Sequence, residues 1–254
     1  MGNDVRSIRV AAVGDIHAGL DSAAPIRAAV EDMRRRADLL VLAGDFTQHG
    51  TVEEAAVVAR ELALLELPAF AVLGNHDYHM GAQEGIRTAL EAAGVHVLEG
   101  EAGICEVNGV HVAVAGVKGF GSGFAGACGT EFGEPEMKSF VSYSRESGEQ
   151  LARALSTADA ELHIALMHYS PVADTLVGER LEISPFLGSF FLAEAVDEAP
   201  CDVAFHGHAH RGTEWGITPG GVPVRNVARQ VLRRAYKLYE LDPHAPAGSR
   251  LIEC

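Results

Sequence analysis

The residues best suited to chemistry in this sequence are acidic, amide and imidazole side chains that directly follow short apolar runs. Each stands beside a glycine or a predicted sharp turn, where a buried strand is expected to end. Carboxylate, amide and imidazole groups suit divalent manganese, iron, zinc or nickel, and the lack of a Cys-x-x-Cys pair disfavours a purely structural zinc. The set comprises Asp15, His17, Asp45, Asn75, His76, His168, His208 and His210.

Alternating strands and helices are predicted to position these side chains. Apolar runs that lack polar alternation predict buried strands, and the segments between them have helical spacing. Ligands in open α/β sheets collect at the carboxyl ends of strands, so the polar residues at these ends are expected to converge on one edge. The predicted strands lie in "SIRVAAVGD", "DLLVLAGD", "AFAVLGN", "ELHIALMHY" and "CDVAFHGHAH".

Local signals support this order of elements. Pro25 suits the first turn of a helix, and Thr51 with Glu54 forms a predicted capping box at the start of the next helix. Asn108-Gly109 lies between two short apolar runs and predicts a hairpin turn.

Residues 118–143 are rich in glycine and lack a sustained apolar period, so a long loop is predicted there, followed by a helix from about residue 144. Long loops in compact domains are usually functional or mobile, which makes this segment a candidate lid, insertion or oligomer contact. Phe120, Phe124 and Phe132 either stack on a base or aryl group of a ligand or anchor the loop.

Composition limits the partners and the location. The chain has 254 residues, 48% of them hydrophobic, and no internal repeat or linker, so residues 1–254 are predicted to form a single domain. The amino terminus lacks the apolar run of a signal peptide, and the four cysteines are scattered, so a cytoplasmic location with reduced thiols is expected. A formal net charge of -15 opposes binding to nucleic acid polymers and membrane surfaces.

Taken in order, the motifs resemble those of the calcineurin-like metallophosphoesterases. Each motif is weak alone, but the five together are specific, and they run from residue 8 to about residue 211 in the family's order. The resemblance implies an α/β fold, a four-layer α/β/β/α sandwich of two mixed β-sheets flanked by helices, with a metal site at the carboxyl ends of the strands. The motifs are Asp15-x-His17, Gly44-Asp45, Gly74-Asn75-His76-Asp77, His168 and Gly207-His208-x-His210.

The resemblance also implies two divalent metal ions as cofactors, with manganese and iron favoured and zinc or nickel as alternatives. A water or hydroxide bridging the two ions would attack the phosphate in line. One ion would be held by Asp15, His17 and His210, the other by Asn75, His168 and His208, and both by Asp45.

By the same resemblance, His76 is not a ligand but contacts the phosphate, stabilising charge in the transition state or protonating the leaving oxygen. In the Ser/Thr phosphatase branch the second motif reads Gly-Asp-x-x-Asp-Arg-Gly, and its second Asp pairs with the catalytic His. Here the stretch is "GDFTQHG", with Gln48 and His49 in place of Asp and Arg. This departure disfavours the protein-phosphatase branch and predicts a weaker acid–base group that prefers esters with good leaving groups.

Four further residues are candidates for supporting the site or touching the substrate. Asp77 is expected to support its loop and to help hold His76, whereas Tyr78 and His79 are interpreted as bystanders. Asn226 is a candidate for the rim of the site. The four candidates are Asp77, Gln48, His49 and Asn226.

The function predicted from the motifs is hydrolysis of a small-molecule phosphate ester. The arrangement in a compact chain looks most like the bacterial cyclic-nucleotide-phosphodiesterase-like branch, which favours a phosphodiesterase. A phosphomonoesterase or nucleotidase on the same site is the first alternative. A non-catalytic scaffold is the second, and it predicts missing ligands, whereas every ligand position is filled here. A homodimer is compatible with the sequence.

Overall fold

The computed structural model describes residues 7–246 and 248–252. The expected lack of a signal peptide rests partly on the first six residues, which lie outside the described residues. Cys254 also lies outside them. Two six-stranded mixed sheets pack face to face, and helices cover their outer faces. This is the four-layer α/β/β/α sandwich that the motifs implied.

The first sheet is formed by β1 (Ile8–Val13), β2 (Leu39–Ala43), β3 (Ala69–Val72), β4 (His96–Val97), β13 (Lys237–Leu241) and β14 (Leu251–Ile252), in the order β14-β13-β1-β2-β3-β4. The second is formed by β5 (Glu101–Val107), β6 (Val110–Val117), β9 (Leu162–Met167), β10 (Val203–His206), β11 (Trp215–Ile217) and β12 (Pro223–Asn226), in the order β11-β12-β10-β9-β6-β5. A small separate hairpin is formed by β7 (Gly123–Phe124) and β8 (Ala127–Cys128).

Helices α1 to α3 cover the first sheet, and α4 and α5 cover the second. The helices are α1 (Ala23–Arg36), α2 (Val52–Leu62), α3 (Gln83–Ala92), α4 (Pro135–Thr157), α5 (Phe190–Asp197) and α6 (Arg229–Leu232). Short 3-10 helices span His76–Tyr78, Asp174–Leu176 and Leu181–Phe186. The predicted cap of α2 is confirmed, because Thr51 Oγ1 accepts a hydrogen bond from Glu54 N at 3.2 Å.

Burial on both faces explains why the central strands read as continuous apolar runs. Val10 and Val41 face the other sheet, whereas Ala11 and Leu42 face the helices. Every residue of β2 is buried, so no position on that strand can carry an alternating polar residue.

Parallel pairing brings the carboxyl ends of the central strands to common edges. Strands β1, β2 and β3 run parallel, as do β6, β9, β10 and β12. The two edges meet where His168 Nδ1, after β9, donates to the carbonyl of Ala43 at the end of β2, at 2.8 Å. Polar side chains that follow strands of both sheets therefore lie close together at this common edge.

The Gly-rich segment 118–143 is not one long loop, and the predicted helix start near residue 144 is wrong. The β7–β8 hairpin lies within it, and α4 begins at Pro135. Proline at the first helical position is pre-organised for helix formation. Of residues 135–143 only Val141 is buried, so this first part of α4 shows no apolar period that would mark a helix.

The cysteines in the described part of the chain are free, and they are Cys105, Cys128 and Cys201. Burial raises the pKa of the Cys105 thiol to about 11 and that of Cys201 to about 12. Within residues 7–246 and 248–252, no helix combines the length and the apolar character that crossing a bilayer requires.

Candidate metal centre

Four of the predicted ligands form a compact cluster. The ligand atoms of Asp15, His17, Asp45 and His210 all lie within 4.8 Å of one another. His210 Nε2 is 2.7 Å from Asp15 Oδ1 and 3.3 Å from His17 Nε2, and His17 Nε2 is 3.6 Å from Asp45 Oδ2. Both carboxylates are buried. Two buried carboxylates and two imidazoles at this spacing suit a divalent cation.

Asp45 joins this cluster to a second group. Its Oδ1 is 3.5 Å from His168 Nε2, and Asn75 Oδ1 is 2.9 Å from the same nitrogen. The His208 ring centroid lies 4.8 Å from that of His168. Because His168 Nδ1 donates to Ala43, its Nε2 carries a lone pair when the ring is neutral. Three acceptor atoms therefore face one another, which is the arrangement that a bound cation stabilises.

The backbone at four ligand positions lies in the left-handed region, with φ of 57° at Asp15, 46° at His17, 54° at Asp45 and 68° at His208. Residues other than glycine avoid this region, and such strain persists mainly at functional sites, where the surrounding structure enforces it. Among the other non-glycine residues that the structure describes, only Asn108 and Arg233 share it. Local backbone conformation thus sets these four positions apart from nearly all other described non-glycine residues.

Two glycines of the motifs are required by close packing. A Cβ atom on Gly74 would collide with Asp45 Oδ1, and one on Gly207 would collide with Asp15 Oδ2. The glycines in the Gly-Asn-His and Gly-His patterns therefore make room for the two carboxylates.

Burial and neighbouring charges set the protonation of the cluster. Burial opposes ionisation of Asp15, but hydrogen bonds from His17 and His210 outweigh it and hold its pKa well below the ordinary range. Burial and the charge of Asp15 raise the pKa of Asp45. Burial lowers the pKa of His208 to about 3, so its imidazole is neutral and able to bind metal at neutral pH.

His76 lies beside the cluster. Its ring centroid is 4.4 Å from that of His17, and its main-chain N–H donates to Asp45 Oδ1 at 2.8 Å. Its Nδ1 donates to the main-chain carbonyl of Gln48 at 2.9 Å, while the Gln48 side chain is exposed. The partner of the imidazole Nδ1 is therefore a neutral carbonyl oxygen, and no described residue forms a hydrogen bond with Nε2.

Asp77 supports its loop, and among the described residues its carboxylate bonds to main-chain and hydroxyl donors rather than to His76. Its buried carboxylate accepts hydrogen bonds from Phe46 N at 3.3 Å, Thr47 N at 3.0 Å, Thr47 Oγ1 at 2.8 Å and Gly74 N at 2.9 Å. These donors belong to the loops after β2 and β3, so Asp77 ties together the two loops that carry predicted ligands.

His49 and Asn226, the candidates for supporting the site or touching the substrate, each contact a neighbouring segment. His49 Nδ1 lies 2.7 Å from Glu54 Oε1 at the start of α2. Asn226 is fully buried and does not line a rim. Its Nδ2 donates to Ala209 O at 2.8 Å and its Oδ1 accepts from Ala228 N at 3.0 Å, so it braces the loop that carries the last two ligand histidines.

An aromatic cleft adjoins the cluster and was missed from the sequence. The cleft has a volume of about 520 Å³, includes Asn75 in its lining and is walled in part by Tyr78, Lys118, Phe120 and Tyr169. Tyr78, interpreted as a bystander, thus lines it. Lys118 directly follows β6 and Tyr169 closely follows β9, so the pattern of polar residues at strand ends would have found both.

Of the three loop phenylalanines considered from the sequence, only Phe120 lines this cleft. Phe124 is buried in a separate cluster with Leu176 and Leu187, and the Phe132 side chain is exposed. Phe124 therefore anchors its loop.

Solved structures share this fold. Phosphopantetheinyl hydrolase (PptH) from Mycobacterium tuberculosis is similar with a TM-score of 0.66 and 15% identity, over 95% of this chain and 99% of that chain. GAP50, the anchor in the inner membrane complex of Plasmodium, has a TM-score of 0.57 and 13% identity, over 93% of this chain and 81% of that chain. One is named a hydrolase and the other an anchor, so this likeness shows the fold alone.

Sequence comparison is more specific. An uncharacterized metallophosphoesterase from Aquifex aeolicus (strain VF5) is 42% identical over 86 residues, which are 33% of this chain and 31% of that protein. The match thus spans about a third of that relative's length. The family model described as calcineurin-like phosphoesterase matches residues 8–212, which contain all the predicted ligands. The chain therefore belongs to the calcineurin-like phosphoesterase family.

Proposed function

We propose that the protein is a dinuclear-metal-dependent phosphoesterase that hydrolyses a small phosphate ester, with a phosphodiester as the preferred substrate. The observation that carries the proposal is the convergence of seven candidate ligands from both sheets, with Asp45 between two groups and His76 beside them. In the proposed assignment, Asp15, His17 and His210 would hold one ion, Asn75, His168 and His208 would hold the other, and Asp45 would contribute to both.

The residues present fit a pair of divalent ions, with manganese or iron favoured and zinc or nickel as alternatives. When bound, such ions activate the attacking water and neutralise charge on the phosphate. Asp15 and Asp45 are the only carboxylates among the seven ligands, so the loaded centre keeps a net positive charge. It can therefore attract a phosphate although the protein has a formal charge of -15.

His76 acts on the substrate in this proposal. The Gln48 carbonyl holds Nδ1, and the bond from the main-chain N–H to Asp45 fixes the start of the turn. A proton on Nε2 can then pass to the leaving oxygen or stabilise charge on the phosphate in the transition state. A neutral carbonyl stabilises an imidazolium less than a carboxylate does, so we expect a preference for esters with good leaving groups.

A phosphomonoesterase or nucleotidase on the same centre is the second candidate. The aromatic cleft that begins at Asn75 offers stacking surfaces for the base of a nucleotide, whether that nucleotide is a monoester or a cyclic diester. The order and spacing of the motifs in a compact chain support the diesterase.

A substrate panel tests the proposal. The protein is reconstituted separately with manganese, iron, nickel and zinc, and metal content is measured before assay on a bis-aryl diester, an aryl monoester, cyclic nucleotides and nucleoside monophosphates. We expect the diester to be turned over fastest. Faster turnover of the monoesters would support the second candidate, and a protein that binds two ions yet hydrolyses none of these esters would refute an enzymatic role.

A matched pair of histidine variants tests the role of His76. His76→Ala should retain both ions and lose turnover by about 10²- to 10⁴-fold, the usual contribution of a general acid or base. His79→Ala removes an exposed imidazole three residues further along and should leave both properties unchanged. Equal turnover by the two variants would contradict the assignment.

A further inference from the structure

The cleft beside the metal centre contains a buried ammonium group surrounded by aromatic rings. Lys118 Nζ lies 5.2 Å from the ring centroid of Tyr78, 5.1 Å from Phe120, 5.2 Å from Tyr143 and 5.3 Å from Tyr169. Only 5% of Lys118 is exposed. The faces of aromatic rings attract a cation, so this cage of four rings stabilises the buried charge.

The ammonium has hydrogen-bonding capacity left over. It carries three N–H donors, and among the described residues only the Gly119 carbonyl accepts one of them, at 3.1 Å. The nearby Glu99 carboxylate accepts from the main-chain N–H of Lys118, at 3.3 Å. A buried charged donor is costly to leave without acceptors, so Lys118 is suited to donate to a group that enters the cleft.

The cage is continuous with the metal centre. Asn75, a candidate ligand, lines the same cleft, and the Tyr169 ring centroid is 4.3 Å from that of His208. The volume of about 520 Å³ lies within the range of small-molecule sites. An ester whose phosphate sits at the metal centre would therefore place one organic group in the cleft.

We propose that Lys118 and its aromatic cage form the subsite for the organic group of the substrate, and that this group is a flat aromatic ring with an oxygen acceptor at its edge. The ring stacks on the aromatic walls and the oxygen accepts a hydrogen bond from Lys118. A second anionic group fits less well, because the ring faces and the lining residue Glu136 repel negative charge. This inference rests on the proposed function, since it places the phosphate at the metal centre.

Oxo-substituted nucleobases and acyl-substituted benzene rings share this chemistry, and binding assays distinguish them. The protein, as purified and after chelation of metal, is titrated with inosine, purine riboside, benzamide and ribose, using tyrosine fluorescence and ligand-observed NMR. We expect inosine and benzamide to bind, purine riboside, which lacks the exocyclic oxygen, to bind more weakly, and ribose not to bind. None of these probes contains phosphate, so binding requires no hydrolysis.

Lys118→Met keeps the aliphatic stem and removes the charge, and it should weaken binding of the oxygen-bearing probes by roughly tenfold to hundredfold. Lys138→Met makes the same change at an exposed lysine of α4 and should have no effect. Tyr143→Leu removes a partly exposed wall of the cage, and it should weaken the same probes even where Lys118→Met folds poorly.

The binding results distinguish the two classes of ring and test the subsite itself. An effect of Lys118→Met on inosine alone supports a nucleobase, and an effect on benzamide alone supports a different aryl ester. Unchanged binding of both probes to folded Lys118→Met, or no binding of any ring-bearing probe to the wild-type protein, overturns the subsite. Ring binding without any ester hydrolysis refutes the proposed function and leaves the subsite standing, whereas hydrolysis without ring binding refutes the subsite alone.

Discussion

Replacing Asp77 by asparagine tests whether one buried carboxylate fixes the loops that carry the ligands after β2 and β3. The carboxylate is wholly buried and accepts four hydrogen bonds, from Phe46 N, Thr47 N, Thr47 Oγ1 and Gly74 N. A carboxylate only accepts, which suits four donors. A carboxamide turns one oxygen into a donor, so in either orientation at least one main-chain N–H loses its acceptor.

The geometry sets the size of the effect. In the better orientation the new NH₂ group faces Thr47, whose hydroxyl can rotate to accept, and only the Thr47 N–H is orphaned. A buried orphaned donor costs about 1–3 kcal/mol. The bonds from Phe46 N and Gly74 N also lose their charge assistance. Burial raises the pKa of Asp77, so the neutral side chain recovers part of the desolvation free energy. We expect the free energy of unfolding to fall by about 1–3 kcal/mol.

Urea unfolding of the metal-free protein, followed by circular dichroism, measures this change, with the slope against urea expected to stay constant. Asp159→Asn makes the same substitution at an exposed position after α4 and should shift the free energy of unfolding by less than about 0.5 kcal/mol. Asp77→Asn should also bind metal more weakly, because its loops carry candidate ligands. A loss of stability no larger than that of the control would refute the tie between the loops.

Three further predictions concern the metal centre itself. Asp45→Asn removes the carboxylate shared by both ligand groups and should lower the metal content of gel-filtered protein, so retention of two ions would contradict a bridging role. Gly74→Ala drives a Cβ atom against Asp45 and should weaken metal binding by about tenfold or more in calorimetric titration. Metal affinity should also rise with pH, because the hydrogen bond to Asp15 outweighs burial and raises the pKa of His210 above its ordinary 6.5. At and just above that pH, a proton on His210 therefore competes with the metal, and this proton is lost as the pH rises. A calorimetric affinity for metal that stays constant from about pH 6 to about pH 8 would contradict this prediction.

Local patterns were sufficient to predict the central strands and the residues that stand at their ends, but not the β7–β8 hairpin or the start of α4. The apolar runs of β1, β2 and β3 and the hairpin turn at Asn108-Gly109 depend on neighbours in the chain, and they lie where predicted. The polar residues after these strands converge because parallel pairing brings carboxyl ends to one edge, a rule that holds for the fold class as a whole. Composition and order alone thus pointed to Asp15, His17 and Asp45.

Only the tertiary structure decided what the neighbouring polar groups contact. Asp77 could have faced His76, but the turn points its carboxylate at main-chain N–H groups of its own loop and of the loop after β2. The four rings around Lys118 come from segments far apart in the chain, including those of Tyr78 and Tyr169. No local sequence pattern predicts that these rings lie around one ammonium group. The role of each polar side chain, as a candidate metal ligand, a support for a loop or a contact for substrate, depends on which distant segments lie against it. The packing of the two sheets sets the distances between these segments.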